Sequence, residues 1–167
     1  MTAPSVTSLT LGDSIPTSVQ PTIMEERAAA LEDFLATNHC APLRNGESVL
    51  GEAPLALCIE KIGNNIALVF NKIGNPDTAY TVSFSLSPLR RALKDYSQIV
   101  ESYHAAILTG QASRIEAVDM ARRGIHNSAA ETLIERLQDK LALDHDTARR
   151  IFTIINSLRY DGKGANR

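Results

Sequence analysis

Between Glu116 and Asn127 the chain reads EAVDMARRGIHN, which gathers Asp119, Arg122, Arg123, Gly124, His126 and Asn127 into twelve residues. Paired guanidiniums grip a phosphate or carboxylate through parallel hydrogen bonds, and a histidine titrates near neutrality. These residue types therefore suit an oxyanion site with an acid–base group beside it. Spacings of three and four also let Asp119 reach either arginine as an ordinary surface ion pair worth under ~1 kcal/mol. A second basic pair, Arg90 and Arg91, lies just ahead of Asp95. Arg90, Arg91, Arg122, Arg123 and Asn127 are thus the candidate anion-binding residues, with Asp95 and Asp119 in support and His126 as the candidate catalytic group.

Helices must position these groups. Ser113 and Glu116 are spaced as a capping box, Gly124 is expected to close that helix in the left-handed conformation, and Ser128 with Glu131 to open the next. His126 and Asn127 would then occupy a tight corner beside the free N–H groups of a helix start. Upstream, Ser87 and Pro88 are read as the cap and first residue of a long helix to Thr109, with Leu89, Leu93, Tyr96, Val100, Tyr103 and Ile107 as its apolar stripe. The helix from Ser128 is expected to run to about Leu141. Asp144 is expected to cap a last helix to about Leu158, in which Asp146 can pair with Arg150.

The first half alternates differently. Val6, Leu9 and Leu11 suit a short strand, and Ile23 to about Asn38 has the period of an amphipathic helix. Pro42, Asn45, Gly46, Gly51 and Pro54 mark a long loop. Leu55, Leu57 and Ile59, then Ile66, Leu68 and Phe70, then Tyr80, Val82, Phe84 and Leu86 alternate with polar or small neighbours, with turns at Gly63-Asn64-Asn65 and Gly74-Asn75. The expected fold is α+β: a small antiparallel sheet of three to four strands, covered by an N-terminal helix and a C-terminal four-helix segment. A single domain spans 1–167, with 1–22 and 160–167 as mobile ends.

Composition narrows the classes. Of 167 residues 44% are hydrophobic, enough for one sizeable core, and no apolar run approaches the ~18 residues a membrane span requires. No basic segment leads into an apolar stretch at the N-terminus, so a cytoplasmic location is expected. Cys40 and Cys58, the two cysteines, show no metal-ligand spacing; no metal and no cofactor are expected. Net charge is −2, with −5 in residues 1–86 and +3 in residues 87–167.

At SLSPLRRALKDY (85–96), ESYHAAI (101–107), IEAVDMARRGIHN (115–127) and DTARRIFTII (146–155) the chain resembles the uncharacterised protein family 0262 of alphaproteobacteria. Departures from that pattern fall at Glu25, where the family shows histidine, at Ala121, and at Ser128-Ala129. The resemblance implies a bacterial cytosolic protein and brings no activity, substrate or cofactor with it.

Three functions remain to be separated. Absence of a phosphate loop, nucleophile elbow or zinc signature favours a non-enzymatic binding or adaptor protein, whose partner would be another protein or a second copy of the chain. An enzyme or binder acting on a phosphorylated or carboxylated small molecule is the alternative, through the arginines and His126. Nucleic-acid binding comes third, with 113–124 and 128–141 read as a helix-turn-helix. Glu131, Glu135 and Asp139 make that second helix a poor match for a phosphate-lined groove. The sequence alone assigns no reaction.

Overall fold

The computed structural model describes residues 5–12, 21–51 and 54–158. The expected mobile ends fall partly outside that set, at residues 1–4, 13–20 and 160–167. Within the described part of the N-terminal stretch, β1 (Val6–Leu11) forms as its alternation predicts. It is followed by α1 (Pro21–Ala36), β2 (Cys40–Arg44), β3 (Glu47–Ser48), β4 (Leu55–Ile62), β5 (Asn65–Lys72) and β6 (Asn75–Ser85). Then come α2 (Arg90–Thr109), α3 (Ala112–Leu137), β7 (Leu141–Leu143) and α4 (His145–Leu158).

The α+β class holds, and two sheets carry it. The larger has strand order β1-β4-β5-β6, in which β4, β5 and β6 form the expected antiparallel meander. β1 pairs with β4 in parallel, so the sheet is mixed rather than purely antiparallel. The smaller sheet, β3-β2-β7, occupies the stretch expected to be a loop. Asn45 and Gly46 both take positive φ, 53° and 80°, and join Arg44 to its partner Glu47. An Asn-Gly pair between two strand residues is the sequence signature of this two-residue hairpin.

The C-terminal segment holds three helices instead of four, because 113–124 and 128–141 do not form separate helices. α3 runs unbroken through Gly124 for 26 residues and stops at Leu137, and Leu141 enters β7. A mid-helix glycine costs about 1 kcal/mol relative to alanine, whereas burying each of Leu133 and Leu137 returns about 2 kcal/mol. A break at Gly124 would rotate His126, Ala129, Ala130, Leu133 and Leu137 off the core, so burial decides against the local stop signal. Neither expected capping box forms: Ser113 lies inside the first turn, and the helix starts at Gln111 without a side-chain cap. The helix-turn-helix reading has no structural basis, since no turn exists. Ser87 likewise does not cap the long helix; a 3-10 turn, Ser87–Leu89, precedes α2. Asp144 does cap α4, its Oδ1 accepting from the Thr147 amide at 2.9 Å.

α4 is the centre of the molecule. Ile151, Phe152, Ile154, Ile155 and Leu158 are buried within one core with Leu57, Ile59, Leu68, Phe70 and Val82 of the sheet. α1 and α3 pack against α4, and α2 packs against α3. Tyr80 and Phe84, expected inside, are only partly buried, and the Arg44 guanidinium sits 5.2 Å from the Tyr80 ring centre. No helix among the described residues is long and apolar enough to cross a membrane.

Candidate functional site

α1, α3 and α4, with one residue of α2, line a partly open cavity of about 530 Å³. α3 contributes Arg122, Arg123, His126 and Asn127, all within one and a half turns, which is possible only because the helix continues through Gly124. From α4 come Arg149, Arg150 and Thr153, and from α1 come Glu26, Ala29, Ala30 and Asp33, a face with spacings of three and four. Tyr96 of α2 completes the lining. The small side chains of Ala29 and Ala30 leave the space that longer residues on that face would fill.

Of the residues singled out in sequence, Arg122, Arg123, His126 and Asn127 are brought together; Arg90 and Arg91 are not. Both are exposed in the first turn of α2, and Arg91 meets Asp95 at 3.9 Å with its side chain 95% exposed. The second cationic pair in the cavity is Arg149 with Arg150. Asp119 reaches both arginines, as its spacing predicts: its carboxylate takes Arg122 Nη2 at 2.9 Å and Arg123 Nε at 3.0 Å. The hydrogen bond from Arg122 holds that carboxyl below its usual range. Arg149 lies 3.7 Å from Asp146, and Arg150 lies 3.9 Å from Asp33, not from Asp146 as the sequence spacing suggested. Both separations exceed hydrogen-bond length. The Nε atoms of Arg122, Arg149 and Arg150 are buried without a hydrogen-bond partner among the described residues.

His126 is 8% exposed, stacked on Tyr96 at 4.7 Å between ring centres and edge-on to Phe152 at 5.9 Å. Its Nε2 is 2.9 Å from the Thr153 hydroxyl, which donates its own proton to the Arg149 carbonyl. When the hydroxyl proton points at that carbonyl, Nε2 donates to Thr153 and Nδ1 is the acceptor nitrogen. Burial first, then the charges of Arg122, Arg149 and Arg150, lower the His126 pKa to about 4. With the cavity empty the ring is therefore neutral at pH 7 and a weak base. Tyr96 is driven the other way by burial and by the Glu26 carboxylate, so its phenol stays protonated and donates to Glu26 Oε1.

Tyr96, Glu26, Asp33, Arg149, Arg150 and Thr153 escaped the sequence reading as site residues. In sequence Tyr96 falls in the apolar stripe of the long helix, and Arg150 falls at pairing distance from Asp146. One signal was present: two adjacent arginines interrupt a helix whose other positions from Ala148 to Leu158 are nearly all buried. Among the described residues no group of three or more His, Cys, Asp or Glu is placed to hold a metal ion.

Comparison with known proteins follows the same lines as the motif resemblance. Residues 3–161 match the model of UPF0262, described as an uncharacterised protein family. The chain is 42% identical over 140 residues to the UPF0262 protein of Azorhizobium caulinodans, covering 84% of each chain. It is 45% identical over 139 residues to that of Methylobacterium radiotolerans, covering 82% of this chain and 81% of the relative. With the Rhizobium leguminosarum bv. trifolii protein it shares 40% identity over 152 residues, 91% of this chain and 92% of the other. No solved structure matches the chain. The chain belongs to the UPF0262 family, to which no function is assigned.

Proposed function

For this member of the UPF0262 family, we propose that the α1–α3–α4 cavity binds a phosphorylated or carboxylated small molecule and that the protein acts through binding rather than acid–base catalysis. One observation carries the reading: three arginines that line a single cavity, Arg122, Arg149 and Arg150, each keep a buried Nε donor without a hydrogen-bond partner among the described residues. A buried donor left unmatched costs about 1–3 kcal/mol, and a guanidinium that turns toward an oxyanion in the cavity would remove that cost. A volume of about 530 Å³ lies in the range of small-molecule sites. Asn127 and Arg123 stand at the rim, where they would meet the outer part of a ligand. A cytoplasmic location belongs to the same reading, supported by two free cysteines, and cell fractionation that finds the protein outside the cytoplasm would remove it.

A thermal-shift screen of phosphorylated and carboxylated metabolites, with ethyl phosphate as the minimal probe, tests the proposal. At least one compound should raise Tm through mass action on the folded state. Arg122→Ala and Arg149→Ala should each weaken that compound by at least tenfold, about 1.4 kcal/mol. A flat screen, or a shift that both variants retain, defeats the reading.

A protein-binding role has separate support in Ile107, Leu108 and Met120, which are 47%, 88% and 66% exposed on the α2–α3 hairpin. Large apolar side chains left in water on one structural unit are the kind of surface a partner covers. If a second copy covers it, light scattering should give a mass above one chain for the wild type and one chain for Leu108→Ser with Met120→Ser. Equal masses would discard self-association through this hairpin.

A further inference from the structure

The cavity is not uniformly basic. α1 directs two carboxylates at it, Glu26 and Asp33, separated by seven residues and so about 10 Å along the helix. Neither accepts a hydrogen bond from an arginine among the described residues, and Asp33 makes only a long ion pair with Arg150. Glu26 forms no ion pair among the described residues and takes the Tyr96 hydroxyl on one oxygen only. Asp33 stands 3.9 Å from Arg150, beyond hydrogen-bond length, with its side chain 60% exposed. Counting Asp119 and Asp146, which pair with the arginines from outside the lining, four acids face four arginines. A purely anionic ligand would gain the guanidiniums and be repelled by Glu26 and Asp33.

Resting on the anion-binding reading above, we infer that the ligand is bipolar: a phosphate or carboxylate held by Arg122, Arg149 and Arg150, joined to an ammonium group held by Glu26 or Asp33. Each end then meets opposite charge, and neither carboxylate is left against a negative group. The carboxylates also discriminate by penalty, because a ligand without the ammonium end brings anion to anion. With Ala29 and Ala30 between the two acids, nothing on α1 obstructs a short chain joining the two ends.

Calorimetric titration with a matched pair, O-phosphoethanolamine and ethyl phosphate, distinguishes the possibilities at pH 7, where the amine is charged. The amine-bearing compound should bind at least tenfold more tightly. In at least one of Asp33→Asn and Glu26→Gln, and in the double variant, that ratio should fall to within twofold, while ethyl phosphate binds as well as before or better. Asp33 is mostly exposed, so the single variant keeps the fold if the double variant does not. Equal binding of both compounds by the wild type, or a preference that survives in both Asp33→Asn and Glu26→Gln, overturns the bipolar ligand while leaving the anion site standing. Failure of both compounds to bind overturns the two proposals together.

Discussion

Between pH 6.5 and pH 4 the folded protein is expected to lose about 3 kcal/mol of stability that a His126→Gln variant does not lose. In the unfolded chain His126 takes up its proton near 6.5, whereas in the fold it does so only near 4. Across that window the unfolded state holds more protons, so acid favours unfolding. The stabilising contribution is complete above pH 6.5 and gone once pH has fallen through 4. The groups facing the ring account for the shift: Arg122 from its own helix and Arg149 and Arg150 from α4 repel the imidazolium, and Tyr96 with Phe152 excludes water. Asp119, whose folded pKa is lowered by Arg122, adds a loss of the same sign, centred below this window. Urea midpoints from pH 7 to pH 4 in phosphate-free buffer provide the measurement. Parallel profiles for wild type and variant would contradict the assignment, whatever the variant's absolute stability. A phosphate lodged among the three arginines would offset their charge, raise the His126 pKa and flatten the wild-type slope, which links this measurement to the binding site.

The second large effect is expected at Asn38, well away from the cavity. Its side chain is 5% exposed and makes three hydrogen bonds. Oδ1 accepts from the Val6 amide at 2.8 Å, and Nδ2 donates to the Val6 carbonyl at 2.8 Å and to the Phe34 carbonyl at 2.9 Å. One amide thus fastens the parallel edge strand β1 to the C-terminal end of α1. Asn38→Ala removes all three bonds and leaves the backbone groups of fully buried Val6 unmatched. At about 1 kcal/mol for each bond the loss is about 3 kcal/mol, and for a chain of this size Tm should fall by roughly 6–12 °C. Asn38→Asp does not rescue, since a carboxylate cannot donate to the two carbonyls. A melting temperature within 2 °C of wild type for Asn38→Ala would refute this account of how β1 is held. Since α1 carries Glu26 and Asp33, a loosened α1 should also blunt ligand discrimination.

Much of the fold could be read directly. The β4–β5–β6 meander follows from side-chain alternation, and the long α2 from an apolar stripe ending at Gly110, whose φ of 70° closes the helix. Asp144 announced α4 by its capping chemistry. The Asn45-Gly46 hairpin was legible too, as a two-residue turn, but Pro42 and the surrounding glycines made the stretch look like a loop. β2 and β7 are short and become strands by pairing with each other across about a hundred residues, Cys40 opposite Leu143. No local pattern marks that partnership.

By itself the sequence determined the family, the α+β class and the run from Asp119 to Asn127, because periodicity, capping and motif spacing act within a few residues of each other. Tertiary structure alone decided where that run sits. It carried α3 through Gly124, since burying Leu133 and Leu137 outweighs the local cost of a helical glycine. It left Arg90 and Arg91 in water and set Arg149, Arg150 and Thr153 against His126, 27 residues from Thr153 in the chain. It also turned Glu26 and Asp33, from the far end of the sequence, toward the same cavity. Convergence of this kind depends on which helix faces are buried against α4, a global balance of packing that no twelve-residue window contains.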